Sequence, residues 1–162
     1  MHIVRCRWPG APTARPTGTA RPLTDAPTAA RRCQTGAVSE TFYESVGGHD
    51  TFQRLVHRFY QQVAADPDFR AMYPEQDLGP AEDRLRMFLE QYWGGPKTYQ
   101  EVRGHPRLRM RHNVFHISRT EHDTWLRYML TSLDELQLPP EQDEPLRDYL
   151  TRAAAAMVNS FE

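Results

Sequence analysis

Residues 103–115 read Arg-Gly-His-Pro-Arg-Leu-Arg-Met-Arg-His-Asn-Val-Phe, and the interpretation of the chain turns on them. They form a short basic turn that ends on one histidine, His112. Long segments with a helical apolar period lie on both sides, and each carries a tyrosine or tryptophan on its apolar face. No segment alternates apolar and polar residues as a half-buried strand would, and there are no internal repeats. The expected fold class is all-α.

Working outward, residues 41–46 read as a short helical turn stopped by Gly47-Gly48. Asp50 offers an N-cap for a helix running to about Ala65, with Phe52, Leu55, Val56, Phe59, Tyr60 and Val63 on one face. Asp66-Pro67 breaks it, and residues 69–73 give one more turn, closed by Pro74. The next helix begins near Pro80, a residue suited to a first helical position. It carries Ala81, Leu85, Phe88, Leu89 and Tyr92 and stops at Gly94-Gly95-Pro96. A loop is expected from there to about Pro106, followed by a short segment over residues 107–113.

Ser118-Arg-Thr-Glu121 is a capping box, and the long helix it opens presents Trp125, Leu126, Met129, Leu130 and Leu133 for burial. Pro139-Pro140 separates it from a last helix with Leu146, Tyr149, Leu150, Ala153, Met157 and Val158 on its apolar face. Two long helices joined by a short turn form an antiparallel pair. With the two earlier helices they predict a two-over-two helical sandwich.

The chain has 162 residues, the length of one domain, and its net charge of −1 favours neither nucleic acid nor an anionic membrane as partner. No apolar run approaches the roughly 20 residues of a membrane span. The average conceals a division. Residues 1–38 hold six arginines and one acid, a charge of +5, whereas the rest carry 14 basic and 20 acidic groups, a charge of −6. That leader is rich in Pro, Ala, Thr and Arg, lacks any period, and is expected to be disordered. Its bias mimics a transit peptide, but translation from Val38, giving a chain that begins at Ser39, is the preferred explanation. Both cysteines, Cys6 and Cys33, lie in the leader at a spacing that fits no metal motif. The cysteine-free domain over residues 39–162 fits a reducing, cytoplasmic setting.

Seven histidines occur, at 2, 49, 57, 105, 112, 116 and 122. A single histidine is most often solvated or satisfied within a core. His112 and His116 are four apart and would suit a surface divalent metal if helical, but no Cys, Asp or Glu stands nearby to complete the set. The surroundings are arginines and apolar residues. A lone imidazole facing an apolar cavity is what haem iron takes as axial ligand, and arginines suit its propionates. Tyr60 falls in phase with buried positions, so its phenol requires a hydrogen-bond partner. Trp125 is similarly an inward-facing donor, Tyr73 stands before Pro74, and Ala81 leaves space.

Residues 41–162 resemble the truncated haemoglobins, most closely the group II, or O-type, bacterial globins. The resemblance rests on Arg84-Leu-Arg-Met-Phe-Leu-Glu-Gln-Tyr-Trp-Gly-Gly-Pro96 and Arg103-Gly-His-Pro-Arg-Leu-Arg-Met-Arg-His112, with Phe59-Tyr60, Met72-Tyr73-Pro74 and Trp125-Leu-Arg in support. It implies a two-over-two sandwich enclosing haem b (iron protoporphyrin IX), with His112 as the proximal iron ligand. It implies Tyr60, Tyr73 and Trp125 as the donors to bound O2, and Ala81 as the small distal residue. Leu85 and Phe88 match apolar haem-pocket positions, and Arg84 and Tyr92 match positions near the propionates.

Several aromatic donors aimed at bound oxygen in a dry cavity imply high affinity and slow release. That favours O2, NO or peroxide redox chemistry, as in an NO dioxygenase or a peroxidase, over bulk delivery. NO and CO are the other expected diatomic ligands. The chain has no flavin or nicotinamide fingerprint, so an external reductase is expected, and a homodimer is among the expectations. Two rival readings are a haem-based gas sensor, which would need an output domain, and a haem-free helical interaction module.

Overall fold

The computed structural model describes residues 40–160, and these form eight helices and no strand. The leader and its two cysteines lie outside the described residues. Helix α1, Phe42–Ser45, opens with a capping box in which Glu44 N–H donates to Thr41 Oγ1 and Thr41 N–H donates to the Glu44 carboxylate. Helix α2 spans Gly48–Ala65 and starts earlier than expected. Its N-cap is Gly47, not Asp50. Gly47 has φ +99°, and a Cβ there would meet Thr51 Oγ1 at 2.8 Å. The chain can therefore reverse between α1 and α2 only with a glycine at this position. Asp50 sits in the first helical turn, where its charge suits the positive end of the helix dipole. His49 also lies in α2. All six residues of the predicted apolar face are buried.

Helix α3 is Pro67–Arg70, earlier than the turn expected over residues 69–73. Asp66 is its cap, accepting from the Asp68 and Phe69 N–H groups at 3.1 Å each. Helix α4, Gly79–Tyr92, ends at the predicted glycines. Gly94 has φ +96°, and a Cβ on Gly95 would lie 2.8 Å from the Tyr43 ring and 2.9 Å from the Glu90 carbonyl. The expected loop before Pro106 holds a further helix, α5, Thr98–Arg103. Its single buried residue, Tyr99, packs edge-on against Phe88 at 5.6 Å. One anchor in six residues generates no period, which is why the sequence reads there as loop. Helix α6 is Leu108–His112.

Helix α7, Arg119–Asp134, opens with the predicted capping box: Thr120 N–H donates to Ser118 Oγ, and Ser118 N–H donates to Glu121 at 2.8 Å. Helix α8 spans Pro140–Met157. Helix α2 packs on α4 and α7, and α7 packs on α8, so the α2–α4 pair lies over the α7–α8 pair. This is the two-over-two sandwich. Phe52, Leu55, Phe59, Leu89, Met129, Leu133, Leu146 and Leu150 are its fully buried centre. Trp125, Leu126 and Leu130 are only half-buried. Ser132, also fully buried, accepts from Gln62 at 2.9 Å and donates to the Tyr128 carbonyl at 2.8 Å, so its hydroxyl is satisfied. Among the described residues, no helix is long and apolar enough to cross a membrane.

Candidate functional site

The basic turn folds around its own arginines. Arg107 takes a left-handed conformation, φ 42°, and launches α6. Arg111 donates to the carbonyls of Pro106 at 2.9 Å and Arg103 at 3.0 Å, closing the turn. His112 ends α6, with Nδ1 lying 2.8 Å from the Leu108 carbonyl. A carbonyl can only accept, so Nδ1 carries a proton, and Nε2 is the nitrogen left to offer a lone pair to a metal. His116 lies beyond the helix, exposed, with Nδ1 2.9 Å from Ser160 Oγ. The helical His112–His116 metal pair is therefore not formed. Among the described residues, no three His, Cys, Asp or Glu side chains cluster as a metal site.

The segment after His112 is fastened from the chain's far end. The Asn159 amide donates to the carbonyls of His112 at 3.2 Å and Phe115 at 2.9 Å and accepts from Ile117 N–H at 3.0 Å. Backbone N–H groups of Asn159 and Ser160 add bonds to the Ile117 carbonyl. Asn159 carried no signal in the sequence, because its partners lie more than 40 residues away. Asn159→Ala is expected to cost about 1–2 kcal/mol, since one side chain serves three backbone groups. A fall of several degrees in Tm is the readout.

A cavity of about 620 Å³ opens between α4, α6, α7 and α8. That volume lies in the range of small-molecule and cofactor sites, about 300–1,000 Å³. Eight of the nine expected site residues line it: Tyr60, Tyr73, Ala81, Arg84, Leu85, Phe88, His112 and Trp125. The ninth, Tyr92, does not. It ends α4, exposed, and stacks on Tyr149, whose ring does reach the cavity. The lining also includes Phe69, Tyr99, Phe115, Tyr149 and Met157, which the sequence assigns to core or loop without a reason to gather them. The walls are mainly apolar, with polar groups at a few points.

Tyr60 is buried and its ring meets that of Tyr73 edge-on, 5.8 Å between centroids. Burial pushes both phenols above the usual range, and the neighbouring Tyr73 raises Tyr60 further. Hydrogen bonding from Tyr60 partly offsets the effect on Tyr73. Both are therefore O–H donors throughout the physiological range. Trp125 packs on Phe59 at 5.6 Å, and among the described residues its indole N–H donates no hydrogen bond. Ala81 is buried and leaves space beside these donors. The loop bearing Tyr73 is held by Arg70, which donates to the carbonyls of Tyr73 at 2.9 Å, Gln76 at 2.9 Å and Glu75. Arg84 is paired with Glu75 at 2.6 Å, which keeps the Glu75 carboxyl below its ordinary range. Arg103 and Arg111 also line the cavity, so three arginines border it.

The donor set fits haem: a ring nitrogen with a fixed tautomer, broad apolar walls, and arginines suited to two carboxylates. Residues 41–159 match the family described as bacterial-like globin. The group 2 truncated hemoglobin YjbI of Bacillus subtilis is 38% identical over 120 residues, 74% of this chain and 89% of that protein. A thermostable hemoglobin from the actinobacterium Thermobifida fusca is 61% identical with a TM-score of 0.74, matching 75% of this chain and 99% of that one. The truncated oxygen-avid haemoglobin of Bacillus subtilis is 38% identical with a TM-score of 0.69, over 74% and 99%. The agreement extends from the basic turn to the helical sandwich, and the chain belongs to the bacterial-like globin family, among its group II truncated haemoglobins.

Proposed function

We propose that the cavity takes up haem b, with His112 on the iron and Tyr60, Tyr73 and Trp125 as donors to a bound diatomic ligand. Membership of the globin family already implies haem and a gas such as O2. The observation that carries the fuller reading is that His112, with Nδ1 engaged and Nε2 available, shares one cavity with three aromatic donors. When bound, haem would supply an iron able to bind O2 for reaction with nitric oxide, or to react with peroxide in the absence of O2. The chain's residues do the rest. The Leu108 carbonyl orients the imidazole and increases its basicity. Leu85 and Phe88 exclude water and give a low dielectric, in which each donor acts more strongly. Tyr60 and Tyr73 remain protonated and can donate. Arg84, Arg103 and Arg111 suit the propionates.

Several donors on one ligand imply high affinity and slow release, which favours redox use over bulk delivery. An external reductase and a cytoplasmic, reducing setting belong to this reading; the described residues contain no cysteine. The test is rapid mixing of the oxygen-loaded protein with nitric oxide. The expected result is stoichiometric nitrate with formation of the ferric spectrum. Displacement of O2 without nitrate would overturn the redox role. A colourless protein that folds but takes up no haem would overturn the cofactor.

A further inference from the structure

Tyr92 and Tyr149 form a stacked pair that bridges the cavity and the surface. Their ring centroids are 4.0 Å apart with planes 30° from parallel. Tyr149 lines the cavity, whereas Tyr92 is 53% exposed. Trp93 meets both rings edge-on, at 5.4 and 5.6 Å, and holds them in register. Phe42 covers the far side of Trp93 at 4.3 Å. Tyr92 ends α4 and lacks full cover from water. What it does have is continuous aromatic contact with a group in the cavity.

We propose that Tyr92 is a surface oxidation site for small phenolic reductants, wired to the cavity through the Tyr149 ring. This rests on the haem reading above, with hydrogen peroxide as oxidant. The O–O bond of the peroxide breaks, and two electrons and two protons convert it to two waters. Each electron leaves Tyr92 and crosses Tyr149 into the cavity, while the Tyr92 phenol releases its proton to solvent. The Tyr92 radical then takes one electron and one proton from a phenol stacked on its open face. Two reductant molecules are each oxidised by one electron per peroxide. Tyr149 makes no hydrogen bond with a described residue, so no neighbouring base stands ready to take its proton as an electron passes. Tyr149 therefore conducts as a ring, and the proton is exchanged at Tyr92 alone.

The experiment treats the haem-loaded full chain with an equimolar amount of hydrogen peroxide in the presence of a nitroso spin trap. Peptide mass spectrometry then locates the adduct. The expected result is an adduct on Tyr92. Tyr149→Phe, which keeps the ring, should retain it, and Tyr149→Leu, which removes the ring, should lose it. Guaiacol added as reductant should prevent the adduct. An adduct confined to Tyr60 or Tyr73 overturns the proposal. So does a Tyr92 adduct that survives Tyr149→Leu unchanged, because the oxidation then comes from solution. A normal Soret band with no Tyr92 adduct refutes the relay alone, whereas no Soret band refutes the haem reading and the relay with it.

Discussion

Replacing His112 by alanine is expected to abolish stable haem binding, or to leave binding that added imidazole restores. Loss of a residue that only orients a metal ligand costs about 10–100-fold in affinity, and loss of the ligand itself should exceed that. The structure supplies the controls. His105 is exposed, does not line the cavity, and accepts from Arg107 N–H at 3.3 Å. His116 is held at Ser160. The one other histidine on the cavity wall among the described residues is His122, whose Nδ1 lies 2.7 Å from Asp123. The alanine variants at 105, 116 and 122 should therefore keep a Soret spectrum close to that of the parent. A histidine-ligated ferrous spectrum in His112→Ala would show that the iron is held elsewhere, with His122 the first place to look.

The second large effect is expected on oxygen release. Losing a hydrogen bond to a charged acceptor costs about 1.5–3 kcal/mol. At roughly 1.4 kcal/mol per decade, Trp125→Phe should speed O2 dissociation by about ten- to a hundredfold. Among the described residues its indole N–H makes no hydrogen bond, so it is free to donate to a ligand. The tyrosines should behave differently. They sit 5.8 Å apart edge-on and interact through their hydroxyls, so either can serve when the other is gone. Tyr60→Phe alone should then do less than Trp125→Phe. Tyr60→Phe with Tyr73→Phe should exceed the sum of the two single changes, since no substitute donor remains. Dissociation rates from the parent, both singles and the double decide it. Unchanged release in Trp125→Phe, or strict additivity for the tyrosine pair, would make these side chains packing rather than donors.

The sequence by itself determined most of the elements. Alternation of period 3.6 placed all six buried residues of α2, and Ser118–Glu121 and Gly94-Gly95 marked one start and one stop, because caps and steric stops act within a few residues. It did not distinguish Asp50 from Gly47 as a cap, since that depends on how sharply the chain must turn to bring α1 against α2. It missed α5, whose only anchor is a ring that docks on a distant helix. Site roles came through resemblance to a known family, not through spacing. Convergence was decided by the tertiary structure. Tyr60, Tyr73, His112 and Trp125 span more than 60 residues, and no local period links them; the crossing of α2 and α4 over α7 and α8 brings them to one cavity. Tyr92 shows the same limit from the other side. It keeps the helical phase of Leu85, Phe88 and Leu89 but is the last residue of α4 and faces water. Phase fixes the side of a helix on which a residue lies. Only the position of the neighbouring helix decides whether anything covers it, and here that neighbour, α8, offers Tyr149.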